Sequence, residues 1–297
     1  MKKQKITWFL RLICCIFLSS GCGTDYDNKA SLRVMTYNIR NGTAPDGINH
    51  WDHRKELCLA RVVAFHPDVL GLQEAMDFQN DYLLKNLPGY TALGVGRDGK
   101  NLGEFSTLIY RNEYLEVVDS GTFWLSMTTE VVGSRSWDSA HPRIATWALF
   151  QKKNSRFRFL AINTHFDHRG VTARIEAAKL IRNFALNKGG DLPILITGDF
   201  NSQPDSEPYR ILQGLESNEK SWVDAYVEYW KGRGAEAESG TTNSFKIRPA
   251  KSRIDWIFHS SPLRVREAQI DRSHQAPVFP SDHYPMTAIL EWGNTKP

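Results

Sequence analysis

Short apolar runs with the β-branched and aromatic character of strands punctuate the chain. They cover Leu32 to Tyr37, Asp68 to Leu72, Thr107 to Tyr110, Ile144 to Phe150, Phe157 to Asn163, Pro193 to Thr197, Arg253 to Phe258 and Met286 to Leu290. Between some of them the period lengthens: Val171, Ile175, Ala178, Ile181 and Ala185 recur at spacings of three and four, which predicts a helix from Val171 to Leu186 with that row buried. Further helices are predicted from Asp52 to Phe65, closed by Pro67, and from Phe78 to Leu87, closed by Pro88-Gly89. Many strands with interspersed helices predict an α/β or α+β sandwich. After Ser31 no Pro/Gly/Ser-rich break, repeat or low-complexity run divides the chain, so it reads as one domain.

Polar residues fall at the ends of these strands. Asn38 follows the first, Glu74 the second, His165 the fifth, and Asp199 and Asn201 the sixth; Asp255 lies within the seventh, and Asp282-His283 precede the last. Loops at the rim of a rigid sheet are the usual place for chemistry, and so many strand ends can converge on one mouth. Alone, Asp199 and Asn201 read best as Asx residues closing a turn. In the company of the others they are the parts needed for metal-assisted attack on phosphorus.

The 297 residues, 41% apolar and 11% aromatic, suffice for a substantial core and exclude a disordered chain. The N-terminus reads as a targeting segment: Lys2, Lys3, Lys5 and Arg11 precede the apolar run Leu12 to Leu18, which is far shorter than the roughly 20 residues that span a bilayer. Ser19-Ser20-Gly21-Cys22 then resembles the lipobox of a bacterial lipoprotein, although Leu18 lies four residues before the Cys rather than three. That resemblance implies a signal peptide over 1–21, lipidation of Cys22, a polar tether over 22–30, and a domain over 31–293 held at a membrane outside the cytoplasm. Four of the 37 basic residues belong to the signal, which has no acidic residue, so 33 remain against 33 acidic ones. A neutral mature chain gives no support for a strong nucleic-acid field. With Cys14 and Cys15 removed and Cys22 acylated, Cys58 stands alone and no internal disulfide is available; it reads as a small buried apolar residue.

Six motifs, Val34 to Arg40 (VMTYNIR), Asp68 to Glu74 (DVLGLQE), Asn163-Thr164-His165, Gly198 to Asn201 (GDFN), Arg253-Ile254-Asp255 and Ser281-Asp282-His283, occur in the order of the endonuclease/exonuclease/phosphatase superfamily. The resemblance covers residues 31–293. It extends to a bacterial branch through Asn38-Ile39-Arg40, Gly94 to Gly99, Gly121 to Ser126, Trp137-Asp138, Pro142-Arg143 and Thr164 to His168. It implies a four-layer, DNase I-like α/β sandwich: two mixed β-sheets packed face to face with helices outside.

The chemistry suits these residue types. Anionic phosphate oxygens repel hydroxide, so a site must supply positive charge and a positioned water. The resemblance makes Glu74 the ligand of Mg²⁺ or Mn²⁺, with Asn38 and Asp282 completing or buttressing the sphere. Asp199 would orient or deprotonate the water, and Asn201 would fix the geometry. His283 would touch the phosphate, as base or as cationic stabiliser, with Asp255 on its far nitrogen. His165, Arg143 and Arg169 would contact phosphate oxygens, and Arg97 and Glu104 lie in a Gly-rich loop that faces substrate in the similar proteins. Trp51, Trp124 and Trp137 read as packing residues, and His50, His53, His66, His141 and His274 show no metal-ligand spacing.

The implied activity is metal-dependent hydrolysis of a phosphate mono- or diester by in-line attack of water. A small nucleotide, sugar phosphate or lipid headgroup is favoured, and the protein is read as a monomer. Fold and core motifs do not choose among substrates. A nuclease or deadenylase-like 3'-5' exonuclease is favoured by the spacing of His165 and Arg169, and disfavoured by the neutral charge and export signal. A catalytically silent binding module is disfavoured by the intact polar set.

Overall fold

The computed structural model describes residues 31–214, 220–234, 239–247, 250 and 252–293. The signal segment, Cys22 and the tether lie outside them. The described strands are β1 (Ser31–Asn38), β2 (Val69–Gln73), β3 (Tyr90–Leu93), β4 (Leu108–Arg111), β5 (Leu115–Trp124), β6 (Ile144–Lys152), β7 (Arg158–His165), β8 (Ile194–Asp199), β9 (Val223–Asp224), β10 (Asp255–His259), β11 (Leu263–Ile270) and β12 (Met286–Trp292). They form two six-stranded sheets, β11-β12-β1-β2-β4-β3 and β5-β6-β7-β8-β10-β9. Each sheet has a parallel pair at its centre, β1/β2 or β7/β8, flanked by antiparallel partners. The two parallel connections run through the helices α1 (Trp51–Phe65) and α3 (Val171–Gly189), as such crossovers require.

Alternation along the strands builds four layers. Leu32, Val34, Val69, Phe159, Ala161, Leu195 and Ile257 meet between the sheets. Met35, Tyr37, Leu70 and Leu72 face outward onto α1 and onto α2 (Asp77–Asn86). Leu160, Ile162, Ile194, Ile196 and Phe258 face outward onto α3 and α4 (Glu207–Gln213). The fold is thus the implied sandwich of two mixed sheets with helices outside.

The inner rows change character along their length. β1 runs Leu32, Val34, Thr36, Asn38; β7 runs Phe159, Ala161, Asn163, His165; β8 runs Leu195, Thr197, Asp199. Apolar positions glue the base, and the polar tips converge at the C-terminal ends of the parallel strands. Between the two zones lies a buried polar layer. Asn163 Oδ1 accepts from Gln73 Nε2 at 2.7 Å and Thr197 Oγ1 at 3.0 Å, and its Nδ2 donates to Leu72 O at 2.7 Å and Thr107 O at 3.0 Å. All four bonding positions of that carboxamide are filled, so the layer fixes one sheet against the other. Gly71 makes the approach possible, because a Cβ there would stand 2.3 Å from Thr197 Oγ1 and 2.4 Å from Asn163 Oδ1.

The eight predicted strands all form, as β1, β2, β4, β6, β7, β8, β10 and β12. The four without a sequence signal, β3, β5, β9 and β11, are the edges of the two sheets. β5 and β11 carry bulges at Val117/Asp119 and Val265/Glu267 that break the two-residue period. Of the predicted α3 row, Ala178, Ile181 and Ala185 are buried, while Val171 and Ile175 are not. Val171 is 58% exposed, and the buried face runs Ala173, Ala177, Ala178, Ile181, Ala185 and Gly189. Small residues let the helix lie close on its sheet; a Cβ on Gly189 would be 2.4 Å from Ile194 Cδ1.

Candidate active site

Two equivalent turns form the floor. Asn38 Oδ1 accepts from Arg40 N at 2.9 Å, and Asp199 Oδ1 accepts from Asn201 N at 2.9 Å, so β1 and β8 both end in Asx turns. Arg40, Asn201 and Glu74, which follows β2 directly, hold left-handed backbones with φ of 59°, 46° and 59°. Such strain in non-glycine residues persists only where the surroundings over-determine it, and here it occurs three times at one rim. Asn38 Nδ2 joins the turns, donating to Glu74 Oε1 at 3.0 Å and Asp199 Oδ2 at 2.9 Å.

Around Asp199 Oδ2 stand two imidazoles. His165 Nε2 is 3.6 Å away and His283 Nε2 3.8 Å away. The other ring nitrogen of His283, Nδ1, lies 2.9 Å from Asp255 Oδ2. Burial disfavours the His283 cation, but the Asp255 carboxylate, with Asp199 and Asp282 nearby, holds its pKa well above the ordinary value. His165 is held well below that value by burial and by the charges of Arg143 and His283. Its Nε2 therefore accepts from Asn201 Nδ2 at 3.0 Å, and the same amide donates to Phe166 O at 3.0 Å. Asp199 is pushed up to about 7 by burial and the Asp255 charge. Burial alone would raise Glu74 too, but hydrogen bonds from Asn38 and from Asn41 N, with the charges of His283 and Arg40, hold it below the ordinary carboxylate range.

The cleft above encloses about 490 Å³, and its lining includes Glu74, His165, Asp199, Asn201 and His283 together with Arg97, Glu104 and Arg143. Glu104 is fastened by Asn41 Nδ2 at 3.0 Å and Arg97 Nη1 at 2.6 Å, and Trp124 Nε1 holds the Arg97 carbonyl at 2.7 Å. Arg143 is buried, 3.2 Å from His168 Nδ1 and 3.6 Å from Asp167 Oδ2. Arg169 is exposed and does not line the cleft: Asp167 Oδ1 takes its backbone N–H and that of Gly170, turning the chain into α3. Trp51 and Trp124 are buried packing residues, and Trp51 meets Tyr82 edge-on. Cys58 is buried in the α1 core, and burial pushes its thiol up to about 11, which leaves it inert.

Glu74, His165 and Asp199 each bring one ligand atom to within 4.8 Å of the others, and an oxygen-rich set of that kind fits Mg²⁺ or Mn²⁺. Asn38 serves this group as a spacer, since its amide nitrogen faces both carboxylates and its oxygen is taken by Arg40 N. Asp282 does not line the cleft; it meets the site through Arg40, whose Nε is 3.9 Å from Asp282 Oδ2. Arg40, Asn41, His141 and His168 also line the cleft, and sequence reasoning gave them no role there. Arg40 carried a signal, standing in the same short motif as Asn38. His141 carried none, because the long β5–β6 connection brings it beside His168, where the two rings stack at 5.6 Å.

Known proteins share this arrangement to differing degrees. Human Nocturnin is 25% identical over 290 residues, 85% of this chain and 63% of its own length. The chain thus spans less than two thirds of that relative, and 46% of the length of Drosophila melanogaster Nocturnin. A solved endonuclease/exonuclease/phosphatase from Bacteroides vulgatus superposes with a TM-score of 0.82 at 36% identity, covering 89% of this chain and all of the other. A mannosyl-6-phosphatase from Bacteroides thetaiotaomicron superposes at 0.77 with 34% identity, covering 87% and 99%. The model of the Endonuclease/Exonuclease/phosphatase family matches residues 35–283, from the first inner strand to the histidine beside Asp199, and the chain belongs to that family.

Proposed function

We propose that the chain is a divalent-cation-dependent phosphoesterase, with Glu74 as the residue that would hold Mg²⁺ or Mn²⁺, that hydrolyses the phosphate monoester of a small hydroxylated molecule, a sugar phosphate foremost. The observation that carries the chemistry is Asp199: a buried carboxylate pushed up to about 7, with Asn201 and the His283 imidazolium at hand. A general base works best near the operating pH. Asp199 Oδ2 takes the proton of the attacking water, whose oxygen bonds to phosphorus as the P–O bond to the alcohol breaks and the leaving oxygen takes a proton from solvent, and Asn201 holds the water's line of approach. The His283 imidazolium and the Arg143 guanidinium face the charge that grows on the phosphoryl oxygens. A divalent cation would add Lewis-acid stabilisation of the same oxygens.

The leaving group is read from the opposite wall. A cleft of about 490 Å³ suits one sugar phosphate better than a polymer. Glu104, locked between Asn41 and Arg97, offers a carboxylate to hydroxyls and would repel a second phosphate. The 34% identical mannosyl-6-phosphatase supports this choice. Arg169, the residue that favoured an exonuclease, is exposed and is not among the residues lining the cleft. The basic, apolar N-terminal segment and the lipobox-like Ser19-Ser20-Gly21-Cys22 support a lipid-anchored enzyme outside the cytoplasm.

The test is a panel of sugar phosphates, nucleotides, phosphodiesters, RNA, DNA and phospholipids, assayed with and without EDTA and with Asp199→Ala and His283→Ala. Sugar monoesters should lead, and EDTA or either substitution should abolish turnover. Activity that survives EDTA or both substitutions would sink the mechanism, and preference for a polynucleotide would sink the substrate.

A further inference from the structure

The end of the sandwich opposite the cleft carries a charge pattern that the chemistry above does not use. β1 runs from that base to the rim as Ser31 to Asn38, and β7 as Arg158 to His165. At about 3.3 Å per residue the base lies roughly 23 Å from the site. There the β6–β7 hairpin turns through Gln151 to Arg158 (QKKNSRFR), with four basic residues and no acidic one. The turn is fixed by Lys152 N donating to Phe157 O at 2.9 Å, Gln151 Nε2 to Ser155 O at 3.1 Å and Phe157 N to Ser155 Oγ at 3.1 Å. Lys153 and Arg156 are exposed, and among the described residues no carboxylate oxygen lies within 4.0 Å of either, or of Arg158. Glu113 is engaged by Arg111 at 3.5 Å and Glu291 by Arg266 at 3.4 Å, while Glu116, opposite Gln151, offsets one of the hairpin charges. Between the cations Phe157 stays 40% exposed, lying flat on Trp292 with ring centroids 4.8 Å apart and planes at 12°.

Unpaired cations around a rigidly held, half-wet aromatic ring match the interface of a bilayer with anionic headgroups: the charges meet the surface potential, and the ring sits at headgroup level. The hairpin also adjoins the point where residues 1–30 join the fold. The Tyr114 hydroxyl donates to Ser31 O, the Tyr114 carbonyl accepts from Lys153 N at 2.9 Å, and Lys152 Nζ lies 4.8 Å from the Tyr114 ring centroid. We propose that this hairpin, with Lys153, Arg156 and Arg158 around Phe157, is a docking surface for an anionic phospholipid bilayer, which seats the base on the membrane and turns the cleft toward water. Resting on the phosphoesterase reading above, the orientation restricts the substrate to esters that arrive from solution and excludes headgroups of the bilayer on which the enzyme sits.

Both sheets and all three buried clusters lie within residues 31–297, so this part carries the fold and can be tested apart from the basic N-terminal segment. The test is its flotation with phosphatidylcholine vesicles, with and without phosphatidylglycerol, at low and at high salt. It should float only with phosphatidylglycerol and be released by salt. At about fivefold per basic residue, Lys153→Gln/Arg156→Gln should weaken partitioning about thirtyfold. The control Lys100→Gln/Arg135→Gln, which removes the same charge from loops at the cleft end, should leave it unchanged, and unfolding curves check that both variants are folded. Vesicle-bound enzyme should keep its turnover of a soluble ester. Failure to float with phosphatidylglycerol, an equal loss in the control, or tighter binding to DNA than to the vesicles would overturn the docking surface. Loss of turnover on binding would turn the cleft to the bilayer and overturn the orientation. Flotation as expected by a protein inactive on every ester would sink the phosphoesterase reading alone.

Discussion

Gly71→Ala should destabilise the protein by about 2–4 kcal/mol, although the residue touches no substrate. The added Cβ would stand 2.3 Å from Thr197 Oγ1 and 2.4 Å from Asn163 Oδ1, both more than 1 Å inside ordinary contact. Neither atom is free to yield, because the Thr197 hydroxyl bonds to Asn163, whose four partners lie at 2.7–3.0 Å. Overpacking of this kind costs about 1–3 kcal/mol, and each buried polar group left unpaired about 1–3 kcal/mol more. Replacing a strand glycine returns only about 0.5–1 kcal/mol. At about 2–4 °C per kcal/mol for a domain of this size, Tm should fall by roughly 4–16 °C. Activity should fall with it, because Glu74, His165 and Asp199 sit two or three residues above the disturbed layer. Thermal unfolding followed by circular dichroism gives the stability, and kcat/KM on the best monoester gives the activity. Thr197→Ala removes the nearer obstacle, so the double variant should be more stable than the sum of the single losses by about 1 kcal/mol. A Tm within about 2 °C of wild type, or strict additivity in that cycle, would refute the claim that this layer sets the distance between the sheets.

Asp199→Asn should flatten the pH dependence of stability in the presence of EDTA. The folded-state pKa of Asp199 is raised from 3.8 to about 7, so its contribution is complete below about pH 4 and is lost as pH rises through about 7; unfolding free energies should fall by about 2–4 kcal/mol across that window in the wild type and by less in the variant, and equal slopes would refute the assignment. Glu104→Gln should raise KM for a sugar phosphate about tenfold while sparing p-nitrophenyl phosphate, the loss expected for one hydroxyl-binding contact. Equal effects on the two substrates would remove Glu104 from sugar recognition. Cys22→Ala, or treatment with globomycin, should leave a slower-migrating precursor on gels, and unchanged processing would end the lipoprotein reading.

The central strands were legible because they are unbroken apolar runs with both faces covered. Edge strands were not, since half of each ladder meets solvent or a bulge and the alternating pattern lapses, as in Leu115–Trp124. The α3 stripe was legible only in part: Ala178, Ile181 and Ala185 are buried, but Val171 and Ile175 are not, and Ala173 and Ala177 complete the face, where closeness rather than size gains the packing. At the site, residues that end strands were legible, because strand ends are positions in sequence and in space at once. Arg169 fits a spacing rule, but it stands exposed on the turn that Asp167 caps and is not among the cleft-lining residues. His141 and the partners of Arg40 are fixed by loop paths, for which the chain offers no period to read.

The turn-closing reading of Asp199 and the proposed catalytic one are compatible. One carboxylate oxygen, Oδ1, caps Asn201 N and ends the strand; the other, Oδ2, faces Asn38, His165 and His283. Asn38 divides its amide in the same way, with the oxygen in the turn and the nitrogen toward Glu74 and Asp199. The turn therefore orients the chemistry, because an Asx side chain bonded to its own backbone two residues on has no rotamer freedom left to lose. This accounts for the strain at Arg40, Asn201 and Glu74 as well. Three central strands must stop at one height and turn within a residue or two, and a left-handed residue makes that turn while leaving the preceding side chain aimed into the cleft. Specificity is then free to vary on the long loops that carry Glu104 and His141, without disturbing the floor that Asn38 and Asp199 hold.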